Sequence, residues 1–130
     1  MKLRLRENSI RLRLLQSEVA HLWTNGIFSE EIRFNQFQTL TYTLKLSNEA
    51  TEISAAFEDN AIIVEIPRGA ARDWMETNLV GLESEQTIGK NLTLKITIEK
   101  DFVCLERPLD ADNTDAFPHP KMNCAEEWYL

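Results

Sequence analysis

The sequence predicts an α+β protein: a mainly antiparallel sheet or half-closed barrel, built from two ββαββ-like units with two short helices. Three observations carry this expectation. Runs of alternating apolar and polar residues, the period of a half-buried strand, recur through the first hundred positions. Two short stretches break that alternation and space their apolar residues as a helix does. An offset of 52 residues then lays the second set of elements over the first.

The chain opens on KLRLRENSIRLRL, in which residues 2–6 and 9–15 alternate around Glu7-Asn8. A two-residue loop there sets Leu5 opposite Ile10 and Leu3 opposite Leu12. It also sets Arg4 opposite Arg11 and Lys2 opposite Arg13. A three-residue loop would slip the register by one and mix arginine with leucine on one face. The even register is therefore expected, although glutamate suits a tight hairpin turn poorly. In SEVAHLWTNG, Ser17 is the expected N-cap, with Glu18 in the positive first turn. Val19, Leu22 and Trp23 share a helical face, and Gly26 supplies a left-handed stop. Strands are expected at 27–34 and 39–47.

The pattern then repeats. Residues 52–57 and 61–66 read as a hairpin about Asp59-Asn60. PRGAARDWMETN reads as a helix with Pro67 near its start, apolar positions Ala71, Trp74 and Met75, and Asn78 as its end. Strands follow near 79–86 and 91–99. The offset of 52 pairs Ile10 with Ile62, Gly26 with Asn78, and Leu44 and Leu46 with Ile96 and Ile98. Identities are few, so a shared topology alone accounts for the match. Each helix carries one tryptophan, expected as a core anchor, with Trp23 or Leu22 standing where Trp74 stands in the other half. Residues 1–103 thus form a duplicated-looking core. Residues 104–130 hold three of the four prolines without a sustained period, and are expected as an irregular strap or tail.

A chain of 130 residues with 43% hydrophobic content has the size and the apolar material of one domain. Its net charge of −7 argues against nucleic-acid binding, which needs a positive field. The charge is uneven. Residues 1–15 hold five basic side chains and one acid, and the remainder holds nine basic and twenty acidic ones. No signal-peptide run and no apolar stretch of membrane-spanning length is visible. The expected location is the cytoplasm, with Cys104 and Cys124 reduced.

KLRLRENSIRLRLLQSEV near the start, VGLESEQ in the middle and EKDFVCLERP…FPHP near the end resemble a family of small bacterial single-domain proteins of unknown function. The resemblance reaches to about Pro120. It implies a bacterial origin and no activity, cofactor or catalytic residue.

Candidate chemistry is sparse. Asp110, Asp112 and Asp115 do not make an EF-hand loop, because Asp115 and Lys121 occupy the positions that need glycine and glutamate. Cys104, His119 and Cys124 are weak metal candidates, since none lies two to four residues from another. No metal or other cofactor is expected, and no catalytic residue stands out. His21 lies off the apolar helical stripe. Glu83 and Glu85 share a strand face and could balance the arginines. Lys2, Arg4, Arg6, Arg11 and Arg13 remain as the candidate ligand site: five cations on one face of a hairpin. Guanidinium groups grip phosphate or carboxylate bidentately. The leading expectation is a non-enzymatic binding module for an anionic small molecule or acidic peptide. The alternative is an enzyme acting on a phosphorylated or otherwise anionic small substrate. A homodimer formed through an exposed sheet edge is a further expectation.

Overall fold

The computed structural model of the chain describes residues 1–102 and 114–118. Two short helices and eight strands follow the expected order. They are β1 (Lys2–Arg6), β2 (Ser9–Leu14), α1 (Gln16–Asn25), β3 (Ile27–Arg33), β4 (Thr39–Ser47), β5 (Ser54–Glu58), β6 (Ala61–Pro67), α2 (Arg68–Glu76), β7 (Gly81–Gly89) and β8 (Leu92–Lys100).

The first hairpin adopts the even register, with Lys2 opposite Arg13, Leu3 opposite Leu12, Arg4 opposite Arg11 and Leu5 opposite Ile10. Glu7 turns the chain at a φ of 52°, and Asp59 and Asn60 do so at 48° and 62° in the equivalent hairpin. In the second hairpin both central residues have positive φ, which matches the twist of the strands they join, and in the first Glu7 alone does.

Each half places its two hairpins in different sheets. One sheet runs β1-β2-β8-β7 and the other β3-β4-β6-β5. The junction between hairpins is parallel in both, β2 beside β8 and β4 beside β6. The sheets are therefore mixed, with antiparallel hairpins flanking a parallel centre. Side chains join the sheets along their edges. Ser84 Oγ donates to the Ile53 carbonyl at 3.3 Å, and the Gln86 amide both accepts from Ala55 N–H at 2.7 Å and donates to Ala55 O at 3.0 Å. Residues 53 and 55 meeting 84 and 86 means that β5 and β7 descend together. All four hairpin turns consequently lie at one end of the sandwich, with the helices at the other.

The core fills the space between the sheets. Leu12, Leu14, Ile96 and Ile98 are fully buried on one side, and Leu44, Val64 and Ile66 on the other. Leu22 and Trp74, also fully buried, close the helical end. Each such side chain contributes about 1.5–3 kcal/mol relative to an exposed one. Trp74 Nε1 donates to the Val80 carbonyl at 3.0 Å, which satisfies its only polar group.

The two-unit reading holds, with a change of register. The offset is 52 as far as the helices. Ile10 pairs with Ile96 while Ile62 pairs with Tyr42, so from β3 and β7 onward it becomes 54. Three further sequence expectations change. Gly26 ends α1 in the left-handed region at φ 75°, but α2 ends at Thr77 in an extended conformation, and Asn78 is not at positive φ. Four residues join α2 to β7 where one joins α1 to β3, so α2 needs no tight reversal. Ser17 is not the N-cap. Leu15 holds that position, and its N–H donates to Glu18 Oε1 at 2.8 Å. Ser17 Oγ instead donates to Asp115. Leu22, not Trp23, takes the place of Trp74. Trp23 is 36% exposed and lies under the guanidinium groups of Arg68 and Arg72, at 5.5 and 5.7 Å.

Gly81 in β7 has no room for a side chain beside β8. A Cβ added there would stand 2.7 Å from the Ile98 carbonyl oxygen and 2.9 Å from Glu99 Cβ. Gly81→Ala is expected to lower unfolding free energy by about 1–3 kcal/mol through backbone displacement, read from the urea midpoint.

Candidate functional site

Strand alternation sends Leu12, Leu14, Ile96 and Ile98 into the core, so the intervening residues of the same sheet face outward. The parallel pairing of β2 with β8 arranges these outward residues in three rungs. At the turn end, Arg6, Ser9, Lys95 and Glu85 stand abreast. In the middle stand Arg4, Arg11, Thr97 and Glu83. At the helical end stand Lys2, Arg13, Glu99 and Gly81. All five sequence-predicted cations therefore share one face. Lys95, Thr97 and Ser9 join them, and sequence reading missed these three because it did not place β8 beside β2.

The helical-end rung carries its own counter-charges. Arg13 is 7% exposed, and its Nε donates to Glu99 Oε1 at 2.6 Å. Arg11 Nε lies 3.8 Å from the same oxygen. Lys2 Nζ lies 2.9 Å from Asp101 Oδ2, a buried carboxylate oxygen held by charge rather than by an aligned hydrogen bond. Among the described residues, the compensating acids are Glu99 and Asp101. Glu83 and Glu85, the acids that could balance the arginines, share the face but stand across β8 from β2.

The two rungs nearer the turns frame a hollow. Arg4, Arg6, Arg11 and Lys95, with the hydroxyl-bearing Ser9 and Thr97, line a depression of about 180 Å³. No described residue that lines it is acidic. Arg6 and Lys95 are exposed, Arg4 and Arg11 half-buried, and Thr97 buried at its floor.

The pseudo-equivalent face of the other sheet gives a comparison within the molecule. Where the first sheet has Arg4 opposite Arg11, the second has Ala56 opposite Ile63. Arg6 and Ser9 correspond to Glu58 and Ala61, and Lys95 to Thr41. The fold does not need cations at these positions. The helical-end rung behaves differently: opposite charges sit side by side in both halves, Arg13 beside Glu99 and Glu65 beside Lys45.

A second polar cluster lies at the seam between β1 and β3. The Met1 ammonium, fully buried, donates to Glu30 Oε1 at 2.5 Å and also to Glu18. Tyr42 Oη donates to Glu30 Oε2 at 3.1 Å and lies 3.3 Å from the Met1 carbonyl. Burial raises the Glu18 carboxyl above its ordinary range. Burial also pushes Glu30 upward, but the hydrogen bonds it accepts from the ammonium and Glu18 outweigh this and hold it low. Glu18 therefore keeps its proton longer than Glu30. Burial, together with the adjacent Glu30 charge, pushes the Tyr42 phenol to about 12. At the end of β8, burial lowers the Lys100 ammonium, whose Nζ donates to the Thr77 carbonyl at 2.8 Å and lies 5.4 Å from the centre of the Phe117 ring.

The weak metal candidates Cys104, His119 and Cys124 lie outside the described residues. Among those described, no three His, Cys, Asp or Glu side chains gather as a metal site, and no helix is long and apolar enough to cross a membrane. His21 is exposed, with its ring edge-on to Phe28 at 5.2 Å.

Three outcomes follow from these environments. Arg13→Ala leaves Glu99 without its hydrogen-bonded partner and is expected to destabilise by about 1.5–3 kcal/mol. Arg6→Ala, at an exposed site, should stay within about 0.5 kcal/mol of the parent in the same urea titration. Tyr42 is pinned in its neutral form, so the stability it contributes is complete below pH 10 and is lost as pH rises toward about 12. Ultraviolet titration should show a late phenolate transition that is missing in Tyr42→Phe.

Residues 1–121 match the model of a family of unknown function, DUF7009, and the chain belongs to that family. No curated protein and no solved structure matches the chain.

Proposed function

We propose that this member of the DUF7009 family is a binding module whose basic sheet face holds a small phosphorylated or carboxylated ligand. One observation carries the reading: three arginines and a lysine converge with two hydroxyl side chains on one depression whose described lining holds no acid. Like charges directly opposite each other on a sheet are destabilising, by up to about 1 kcal/mol per pair. Arg4 opposite Arg11 is such a pair. The pseudo-equivalent Ala56 and Ile63 carry no charge, so the arginine pair is not something the fold requires. Guanidinium groups supply forked donors, and the Thr97 hydroxyl can donate to a remaining oxygen, whereas the Ser9 hydroxyl donates to the Arg6 carbonyl at 2.6 Å.

The lining favours holding a ligand over turning it over. Acid–base catalysis needs a group that titrates near neutrality within reach of the reacting atoms. The described lining offers permanent cations and hydroxyls, and Glu99, beside Arg11, is engaged by Arg13.

Thermal melting against orthophosphate, pyrophosphate, a nucleoside triphosphate and a dicarboxylate tests the proposal. At least one should raise Tm at low salt, by an amount corresponding to about 2.7 kcal/mol at a hundredfold excess over Kd. Added salt should weaken the effect. Both Arg4→Ala with Arg11→Ala and the exposed pair Arg6→Ala with Lys95→Ala should remove it. A melting curve that no anion moves would leave the face without a ligand and overturn the proposal.

A further inference from the structure

The turn end of the sandwich is not an ordinary solvated end. Of the eleven large hydrophobic side chains exposed among the described residues, seven lie near the hairpin turns: Leu5, Ile32, Phe34, Phe37, Phe57, Ile88 and Leu92. Such clustering marks a contact surface rather than scattered exposure. Below the seam made by Gln86 and Ala55, the two sheets part. Ile10, Phe57, Ile62, Ile88 and Leu94 line an apolar mouth there of about 350 Å³. Phe57 is 68% exposed and Ile88 47%.

This mouth adjoins the basic depression. Ile10 borders both. Ser9 pairs with Lys95, while β8 itself begins three residues earlier at Leu92. The β1–β2 turn is therefore set back from the longer β7–β8 hairpin, leaving a step in the rim. Across that step, the Arg6–Ser9–Lys95 rung on the outer face meets the apolar residues of the inner face.

We infer that the depression and the mouth are two ends of one site, which takes an amphiphilic anion: a single alkyl or acyl chain carrying a phosphate or carboxylate. The inference rests on the proposed anion-binding role of the depression and adds the ligand class. Charge complementarity selects the head group, and the apolar mouth selects the tail. A free phosphate would leave the mouth open to water, and a neutral lipid would bring no charge to the exposed Arg6 and Lys95. The site suits one dispersed molecule rather than a bilayer, because Glu7, Glu58 and Asp59 project at the same rim and would be repelled by an anionic membrane.

Isothermal titration with decyl phosphate below its micelle concentration, with inorganic phosphate and with 1-decanol tests the inference. Decyl phosphate should bind about tenfold or more tighter than either of the others. Arg6→Ala with Lys95→Ala should weaken decyl phosphate by about tenfold while leaving decanol unchanged. Phe57→Ser with Ile88→Ser should weaken decyl phosphate by about fivefold or more and leave inorganic phosphate unchanged. All four side chains are exposed, so these variants should fold. Equal affinity for decyl phosphate and inorganic phosphate would overturn the amphiphile and leave the anion site standing. Binding of neither would overturn both. Binding to anionic phospholipid vesicles without binding of monomeric decyl phosphate would overturn the single-molecule site.

Discussion

The parallel pairing of β2 with β8, matched by β4 with β6, is the constraint on which the rest of the structure depends. Neither half can complete a sheet alone. Its two hairpins lie in different layers, and each layer is finished by a hairpin from the other half. The buried leucines and isoleucines of the two layers then face each other across a single core. The helices follow from the same constraint. A chain that leaves one layer at the end of β2 or β6 must cross to the other, and α1 and α2 make that crossing while Leu22 and Trp74 seal the end of the core.

That pairing also decides what surrounds the arginines. The first hairpin by itself would be a ribbon of like charges with no compensation beside it. Placing β8 next to it adds Glu99 and, just beyond the strand, Asp101 at one end, with Lys95 and Thr97 at the other. The face therefore has two parts. Arg13 is buried, paired and part of the architecture. The rungs nearer the turns gather positive charge around hydroxyls. The other sheet keeps the opposite-charge rung and lacks the cation cluster, so the same backbone separates what the fold requires from what it merely permits.

Much of this was readable from residues alone, and the limits have physical reasons. The first hairpin's register followed from alternation, because a slip of one residue would have set the cations of one strand among the leucines of the other. The Asp59-Asn60 turn and the Gly26 stop followed from backbone preferences that few other residues share. The partner of β2 did not follow. Periodicity shows which face a strand buries but not which strand lies alongside, and a hairpin-rich sequence suggests antiparallel neighbours. Alternation therefore points to Glu83 and Glu85 as counter-charges and does not bring Glu99 or Lys95 to the arginines. The shift of offset from 52 to 54 was hidden for a related reason. A displacement of two residues preserves strand alternation, so Leu44 and Leu46 align as well with Ile96 and Ile98 as Leu44 alone does with Ile98.

The corrected offset changes how the two seams are understood. Under it, Glu30 corresponds to Ser84, Tyr42 to Ile96 and Glu18 to Ala70. One seam is closed by a serine hydroxyl and a glutamine amide, neutral groups that stitch one strand edge to the next. The other is closed by a buried ammonium held between two carboxylates, with a tyrosine hydroxyl completing the set. Desolvating charges is expensive unless each finds a partner, so this arrangement is stable only because every member is engaged. The neutral seam shows that the fold can close without charge. The ionic seam fixes the first strand at its very start, and that strand carries Arg4 and Arg6. Position along a strand is transmitted residue by residue, so anchoring Met1 sets where those guanidinium groups stand relative to Lys95 on the far side of β2. The charged seam and the basic face thus belong to one arrangement: the first holds the strand that the second displays.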